Sequence, residues 1–151
     1  IDLYGRRKTA MKARIKWVQD RTFLGESGSG HSLVMDGDPA SGGRDLGIRP
    51  METLLMGMGG CSAFDVVDIL VKSREDVADC VIEMVADRAE EIPKVFTRIT
   101  LRYIVSGRNL NPKKVERAVD LSAEKYCSAS IMLGKTAEII HEIEIVDLAN
   151  D

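Results

Sequence analysis

Two cysteines stand where their thiols could react. Cys61 follows Gly59 and Gly60 in an apolar segment, where the missing side chains could leave room for a small substrate. Cys127 stands at a predicted break between two helices, where backbone N–H groups favour anions and exposure would suit a resolving thiol. The thiolate is the reactive form and needs a cation or a helix N-terminus to lower its pKa. Packing as small buried hydrophobic residues explains both positions equally well.

The remaining cysteine and the two histidines favour simpler roles. Cys80 alternates with Ile82 and Met84 along a predicted strand, which favours core packing. His141 shares a strand face with isoleucines and is expected to be a hydrogen-bonded core residue, whereas His31 follows a glycine turn and could reach a pocket. These thiols and imidazoles lack the short paired spacing of zinc sites. The sequence therefore predicts no metal, and no motif in it indicates a cofactor.

The composition indicates a soluble globular protein. The 151 residues are 44% hydrophobic and 30% charged, with a net charge of -3 that gives no surplus for binding nucleic acid or anionic lipid. We find neither a secretory signal pattern nor an apolar run of membrane-spanning length, and three cysteines are an odd number for a disulfide framework. We expect a cytoplasmic protein that binds no nucleic acid and no membrane, with any disulfide transient.

Hydrophobic periodicity divides the chain into strands and helices of an α+β fold. Residues 1–10 lack a clear period and are expected to be an extension, or a remnant of cloning, before a single domain at residues 11–151. The predicted elements are strands at 11–17, 21–25 and 31–36, a helix at 51–72, strands at 79–87 and 96–105, helices at 112–125 and 128–133, and a strand at 138–146.

The helix predicted at 51–72 is apolar on nearly every side. Pro50 suits its first turn, and such a helix must be buried almost all round. The remaining elements of so small a chain can hardly cover it. We therefore expect a second copy to complete the burial in a twofold homodimer.

Three segments together resemble the OsmC/Ohr family of osmotically inducible and organic hydroperoxide resistance proteins, closest to its YhfA-like branch. These segments are KARIKWVQDRTFLGESGSGHSLVMDG, PMETLLMGMGGCSAFDVVDIL and AVDLSAEKYCSASIML. The resemblance covers the chain from Met11 to about Val146. It implies an OsmC-like fold in which antiparallel sheets surround a buried central helix and two chains intertwine as a dimer.

The resemblance also implies a thiol-dependent peroxidase. Its cysteine pair matches Cys61, which would attack the peroxide and become a sulfenic acid, and Cys127, which would form a disulfide with it. The family's arginine aligns with Arg21. The family's glutamate position falls on Met51, so the nearest carboxylate, Glu52, is rotated by about 100° along a helix. A cellular dithiol would reduce the disulfide, and apolar neighbours favour an organic hydroperoxide as substrate.

Two other functions remain open on the sequence. The same pocket could bind a small hydrophobic molecule without catalysis, or its cysteines could sense oxidation, and the displaced glutamate favours these possibilities. A thiol oxidoreductase acting on other disulfides is less well supported, because no C-x-x-C motif is present. The two-cysteine mechanism predicts that the Cα atoms of Cys61 and Cys127 lie within or close to about 7 Å.

Overall fold

The computed structural model describes residues 10–149, so residues 1–9 of the predicted extension lie outside the described residues. Its strands are β1 Ala13–Gln19, β2 Thr22–Ser27, β3 Ser32–Met35, β4 Asp76–Arg88, β5 Phe96–Arg108 and β6 Glu138–Asp147. Its α-helices are α1 Pro50–Lys72, α2 Pro112–Leu121 and α3 Ser128–Leu133, with a 3-10 turn at Pro39–Ser41 and a π-helical turn at Ser122–Tyr126. The predicted α+β class is confirmed, and each predicted element is present within a few residues.

The chain forms two compact units, which divide within α1 after residue 54. The first unit contains an antiparallel meander in the order β1-β2-β3, as predicted. Trp17 pairs with Phe23, and Phe23 pairs with Met35, so these residues share one face of the sheet. The expectation of a single domain at residues 11–151 stays a prediction.

The prediction that β1 is half-buried is wrong for the single chain. Ile15 and Trp17 alternate on one face as expected, yet Trp17 is 64% exposed and every residue of β1 is exposed. Alternation along a strand shows which face is apolar, but it does not supply the layer that must pack on that face. No described residue of this chain buries the apolar face of β1.

The second unit contains a mixed sheet in the order β4-β5-β6. The strands β4 and β5 form the predicted antiparallel hairpin, whereas β5 and β6 are parallel, with Tyr103 opposite Ile143. We had expected antiparallel sheets, but the second sheet is mixed. The reason is that α2, the π-helical turn and α3 form a crossover that returns the chain to the end of the sheet where β5 began.

The core of the second unit lies between one face of this sheet and α1. Alternate β5 side chains are fully buried, as predicted from their period of two. They are Ile99, Leu101, Tyr103 and Val105. Met58, Val66 and Leu70 of α1 are also fully buried, and their spacing of four or eight residues places them on one side of the helix.

The opposite side of α1 is exposed, so the prediction that this helix is buried almost all round is wrong for the single chain. Phe64 is 73% exposed, and Met56 and Val71 are also exposed. An 18-residue window of α1 is apolar enough to cross a membrane by length and composition, and 28% of it is buried. This finding contradicts the expectation that no apolar run of the sequence is long enough to span a membrane. The core helix of a soluble protein passes the same test, so the expectation of no membrane partner stays a prediction.

Candidate active site

Cys61 and Asp65 lie one helical turn apart on α1. Both side chains are partly buried, and their i,i+4 spacing places them on the same side of the helix. The helix packs closely on β4, since a Cβ atom at Gly59 would lie 2.4 Å from the Cε atom of Met84. A Cβ atom at Gly60 would meet nothing within 4 Å. Of the two glycines before Cys61, the first permits close packing and the second borders open space.

Cys127 is the N-cap residue of α3, as the predicted helix break suggested. Its sulfur accepts hydrogen bonds from the backbone N–H of Ser130 at 3.4 Å and from the Ser130 hydroxyl at 3.0 Å. The side chain is fully buried, which contradicts the expected exposure. Burial raises the pKa of the Cys127 thiol, and the bonds from Ser130 oppose that rise. Cys127 is thus held mainly as a neutral thiol.

The fold brings these two cysteines together with Asp65. The Sγ atoms of Cys61 and Cys127 and a carboxylate oxygen of Asp65 all lie within 4.8 Å of one another. Both cysteines are free thiols. A disulfide requires a sulfur separation of about 2.05 Å, so the two sulfurs must approach each other before one can form, and the predicted separation of the Cα atoms stays a prediction.

A buried chain of hydroxyl groups connects Asp65 to the sheet. The Ser122 hydroxyl donates to Oδ2 of Asp65 at 3.3 Å, and the Ser62 hydroxyl lies 3.0 Å from Ser122 and 2.7 Å from the Tyr103 hydroxyl. An ionised carboxylate only accepts hydrogen bonds, so Ser122 must accept from Ser62, and Ser62 must accept from Tyr103. Burial raises the pKa of Tyr103 to about 12. The phenol therefore stays protonated as the first donor of this chain.

Our sequence reasoning did not identify Asp65 or this hydroxyl chain. One signal was available, because Asp65 interrupts an apolar helix one turn after Cys61. The contributions of Tyr103 and Ser122 had no such signal, since they come from elements far from α1 in sequence.

Comparison with known proteins identifies the family to which this chain belongs. A family model described as OsmC-like protein matches residues 42–142, which include Cys61, Asp65 and Cys127. The chain belongs to the OsmC-like family. The resemblance predicted from the sequence is confirmed.

Relatives of this OsmC-like protein cover nearly its whole length. Protein YhfA of Escherichia coli (strain K12) is 55% identical over 136 residues, which cover 90% of this chain and 98% of that protein. A hypothetical protein from Aquifex aeolicus VF5, whose crystal structure is known, is 31% identical in sequence. Its structure matches with a TM-score of 0.79 over 90% of this chain and 96% of that one. The organic hydroperoxide resistance protein OhrB of Bacillus subtilis is 16% identical, with a TM-score of 0.62 over 89% and 98% of the two chains. The last likeness shows the fold alone.

The two other predicted catalytic residues of this OsmC-like protein lie in its first unit. Arg21 is exposed in the turn between β1 and β2. Glu52 stands in the first turn of α1, where its Oε2 atom accepts the backbone N–H of Arg49 at 2.8 Å. Glu52 therefore caps α1 in the manner of the glutamate of a capping box. The prediction that Arg21 and Glu52 act together with Cys61 stays a prediction.

The remaining candidates of the sequence have mixed outcomes. Cys80 is partly buried, as its strand pattern suggested, and burial raises the pKa of its thiol. The Nε2 atom of His141 is buried without a partner among the described residues, so the expectation of a hydrogen-bonded core histidine is wrong for this atom. Burial lowers the pKa of His141, which favours the neutral ring. His31 is exposed and lines a surface groove with Arg14 and Glu26.

Proposed function

We propose that this protein reduces organic hydroperoxides with Cys61 and Cys127. One observation carries the proposal: the two sulfur atoms lie within 4.8 Å of each other, although the cysteines come from distant segments of the chain. Membership of the OsmC-like family supports the same chemistry. The hydroperoxide resistance named for the Bacillus subtilis relative supports the substrate class.

The difference in burial supports a different role for each thiol. Cys61 is partly exposed and borders the open space at Gly60, so it can meet a peroxide and act as the nucleophile. Cys127 is fully buried within 4.8 Å of the Cys61 sulfur, so the residue it can reach is an oxidised Cys61 rather than a free peroxide, and it is the one that attacks second. The apolar face around Phe64 favours an alkyl peroxide over hydrogen peroxide.

The proposed cycle has three balanced steps. The Cys61 thiolate attacks the distal oxygen of ROOH, the O–O bond breaks, and the alkoxide takes a proton to leave as ROH, so that Cys61 becomes a sulfenic acid. Cys127 then loses its proton, its thiolate attacks the Cys61 sulfur to form the disulfide, the S–O bond breaks, and the departing hydroxide takes up the proton to leave as water. A cellular dithiol finally reduces the disulfide by exchange and is itself oxidised.

Arg21 is the proposed cation that stabilises the Cys61 thiolate. This role rests on its alignment with the family's arginine and on the need for a positive charge beside a reactive thiolate. Glu52 is a weaker candidate, because its carboxylate already accepts the N–H of Arg49. We retain the homodimer and the cytoplasmic location as parts of the proposal.

Loss of the nucleophile tests the function. Cys61→Ser should abolish consumption of cumene hydroperoxide in the presence of a dithiol, because a serine hydroxyl is hardly ionised at neutral pH. Cys80→Ser is the matched control, and it should retain turnover. Native protein that neither consumes alkyl hydroperoxides nor forms the Cys61–Cys127 disulfide when challenged would contradict the proposal.

A redox-sensing or ligand-binding role is the second candidate. The engagement of Glu52 in helix capping favours it, because the family's catalytic carboxylate then has no counterpart free to act. A sensor would be oxidised once by peroxide and would turn over slowly with dithiol. Multiple turnovers per chain would exclude this alternative.

A further inference from the structure

The cysteine pair and Asp65 also form a set of donors suited to a metal ion. Their three ligand atoms, two sulfurs and one carboxylate oxygen, all lie within 4.8 Å of one another. In a tetrahedral zinc site with Zn–S bonds of about 2.3 Å and a Zn–O bond of about 2.1 Å, the donors lie roughly 3.6–3.8 Å apart. Adjustments of about 1 Å are therefore enough to bring the three donors onto one ion.

The chemistry of these donors selects among metals. Two thiolates are soft ligands that favour Zn²⁺, whereas Mg²⁺ and Ca²⁺ prefer sites made wholly of oxygen. Cys61 and Asp65 are spaced i,i+4 on α1, so one helix face presents both, and Cys127 supplies the third donor from the turn before α3. Three protein ligands leave the fourth tetrahedral position open, as in zinc sites that hold an exchangeable ligand.

Two of the three donors already have partners that orient them. Ser122 donates to Oδ2 of Asp65 at 3.3 Å, and Ser130 donates twice to the Cys127 sulfur. Hydrogen bonds of this kind hold metal ligands in position and tune their affinity. Cys61 and Asp65 are only partly buried, so the site has an opening to solvent.

We propose that the reduced protein binds one Zn²⁺ ion per chain through Cys61, Asp65 and Cys127. Zinc binds both sulfurs as thiolates, so any thiol that is still protonated releases its proton on binding, and the oxidation states stay unchanged. Formation of the Cys61–Cys127 disulfide removes two of the three donors, so zinc and the disulfide exclude each other. The sequence argument against a metal depended on linear spacing, which does not describe donors brought together by the fold.

The zinc site goes beyond peroxide reduction and does not require it. Zn²⁺ bound at this site coordinates the sulfur that would attack the peroxide. Equimolar zinc should therefore slow any peroxide consumption, and a chelator should restore the rate. The protein would then respond to both metal and peroxide at the same pair of sulfurs.

The test measures Zn²⁺ binding to the reduced, metal-free full chain by competition with a chromogenic chelator. We expect one equivalent per chain in the native protein and none after oxidation to the disulfide. Asp65→Asn should weaken binding at least about tenfold. Asp68→Asn is the matched control, because it makes the same change on the same helix at a part-exposed carboxylate that bonds Lys72, and it should bind zinc normally.

Binding of Co²⁺ to the native protein gives a spectroscopic readout, so this measurement does not depend on whether a variant folds. Co²⁺ should give thiolate-to-metal charge-transfer absorption and the intense visible bands of a tetrahedral site. Absence of stoichiometric binding, equal affinities of the two aspartate variants, or cobalt spectra without thiolate bands would each overturn the proposal. Peroxide consumption is measured separately on metal-free protein, so failure of the zinc site and failure of the peroxidase are distinguishable.

Discussion

The two thiols of the candidate site differ in exposure, and this difference supports the order of reaction that we propose. Cys61 is partly exposed, while Cys127 is fully buried and accepts two hydrogen bonds from Ser130. A buried thiol cannot meet a bulky peroxide directly, but it can reach a sulfenic acid on a neighbouring sulfur. This geometry supports the proposal that Cys61 attacks first.

Removal of the second thiol should stop the cycle at a defined intermediate. Cys127→Ser should react once with an alkyl hydroperoxide and leave a Cys61 sulfenic acid that dimedone traps. Mass spectrometry of the adduct measures it, and Cys80→Ser should instead give the Cys61–Cys127 disulfide without an adduct. An unmodified Cys61 in the Cys127→Ser protein would contradict the assignment of the nucleophile.

Tyr103 should ionise about two pH units above an ordinary tyrosine. Burial raises its pKa to about 12 in the folded protein, so its neutral form is favoured there. The associated stability is fully present below the unfolded pKa near 10 and is lost as the pH rises through about 12. Difference spectra between the native protein and Tyr103→Phe, titrated at the phenolate band, measure the shift. Phenolate absorbance from Tyr103 near pH 10 in the folded protein would rule out the raised pKa.

At the scale of elements, the start of α1 combines a local cap with a predicted catalytic group. The carbonyl of Arg49 accepts from the N–H of Thr53, which makes Arg49 the N-cap, and Glu52 reaches back to the Arg49 N–H. This is the N3 position of a capping box, where glutamine can replace glutamate. The carboxylate therefore has a structural function whether or not it also takes part in catalysis.

Two substitutions separate these functions. Glu52→Gln can still accept the Arg49 N–H, so its free energy of unfolding should stay near that of the native protein. Glu52→Ala loses the bond and should be destabilised by about 1 kcal/mol. Chemical denaturation measures both values. Equal destabilisation of the two variants would contradict capping, and a loss of turnover in a fully stable Glu52→Gln protein would establish a catalytic role.

At the scale of the whole molecule, one side of α1 exposes apolar side chains to solvent in the single chain. Phe64 is 73% exposed, and the apolar face of β1 is exposed as well. Exposed apolar surface on each of the two units is typical of an association site. We propose a second copy as the occupant, because the resemblance to the family implies an intertwined dimer.

A charge on this face should prevent association. The native protein should sediment as a dimer, whereas Phe64→Asp should shift it towards a monomer, because burying an unpaired carboxylate is costly. Val85→Asp is the matched control, since Val85 is 71% exposed on the outer face of β4. A native protein that stays monomeric in dilute buffer and associates only with lipid vesicles would exclude the dimer and favour the membrane.

Much of this fold could be predicted from the sequence, because it reflects local backbone geometry. The period of two in β5 identified its buried residues, Ile99 and Leu101 among them. The Asn111 cap of α2 was also recognisable, and its side chain accepts from the N–H of Lys113 at 3.0 Å. Such signals lie within a few residues of one another, so neighbouring side chains are enough to reveal them.

Only the tertiary structure decided how distant segments meet. Sequence patterns show that α1 is apolar and that β1 has one apolar face, but which side of α1 is buried depends on the sheet that packs against it. The parallel pairing of β6 depends on the path of the crossover. The proximity of Cys61, Asp65 and Cys127 depends on both, because side chains far apart in sequence become neighbours only when packing closes the long loops between them.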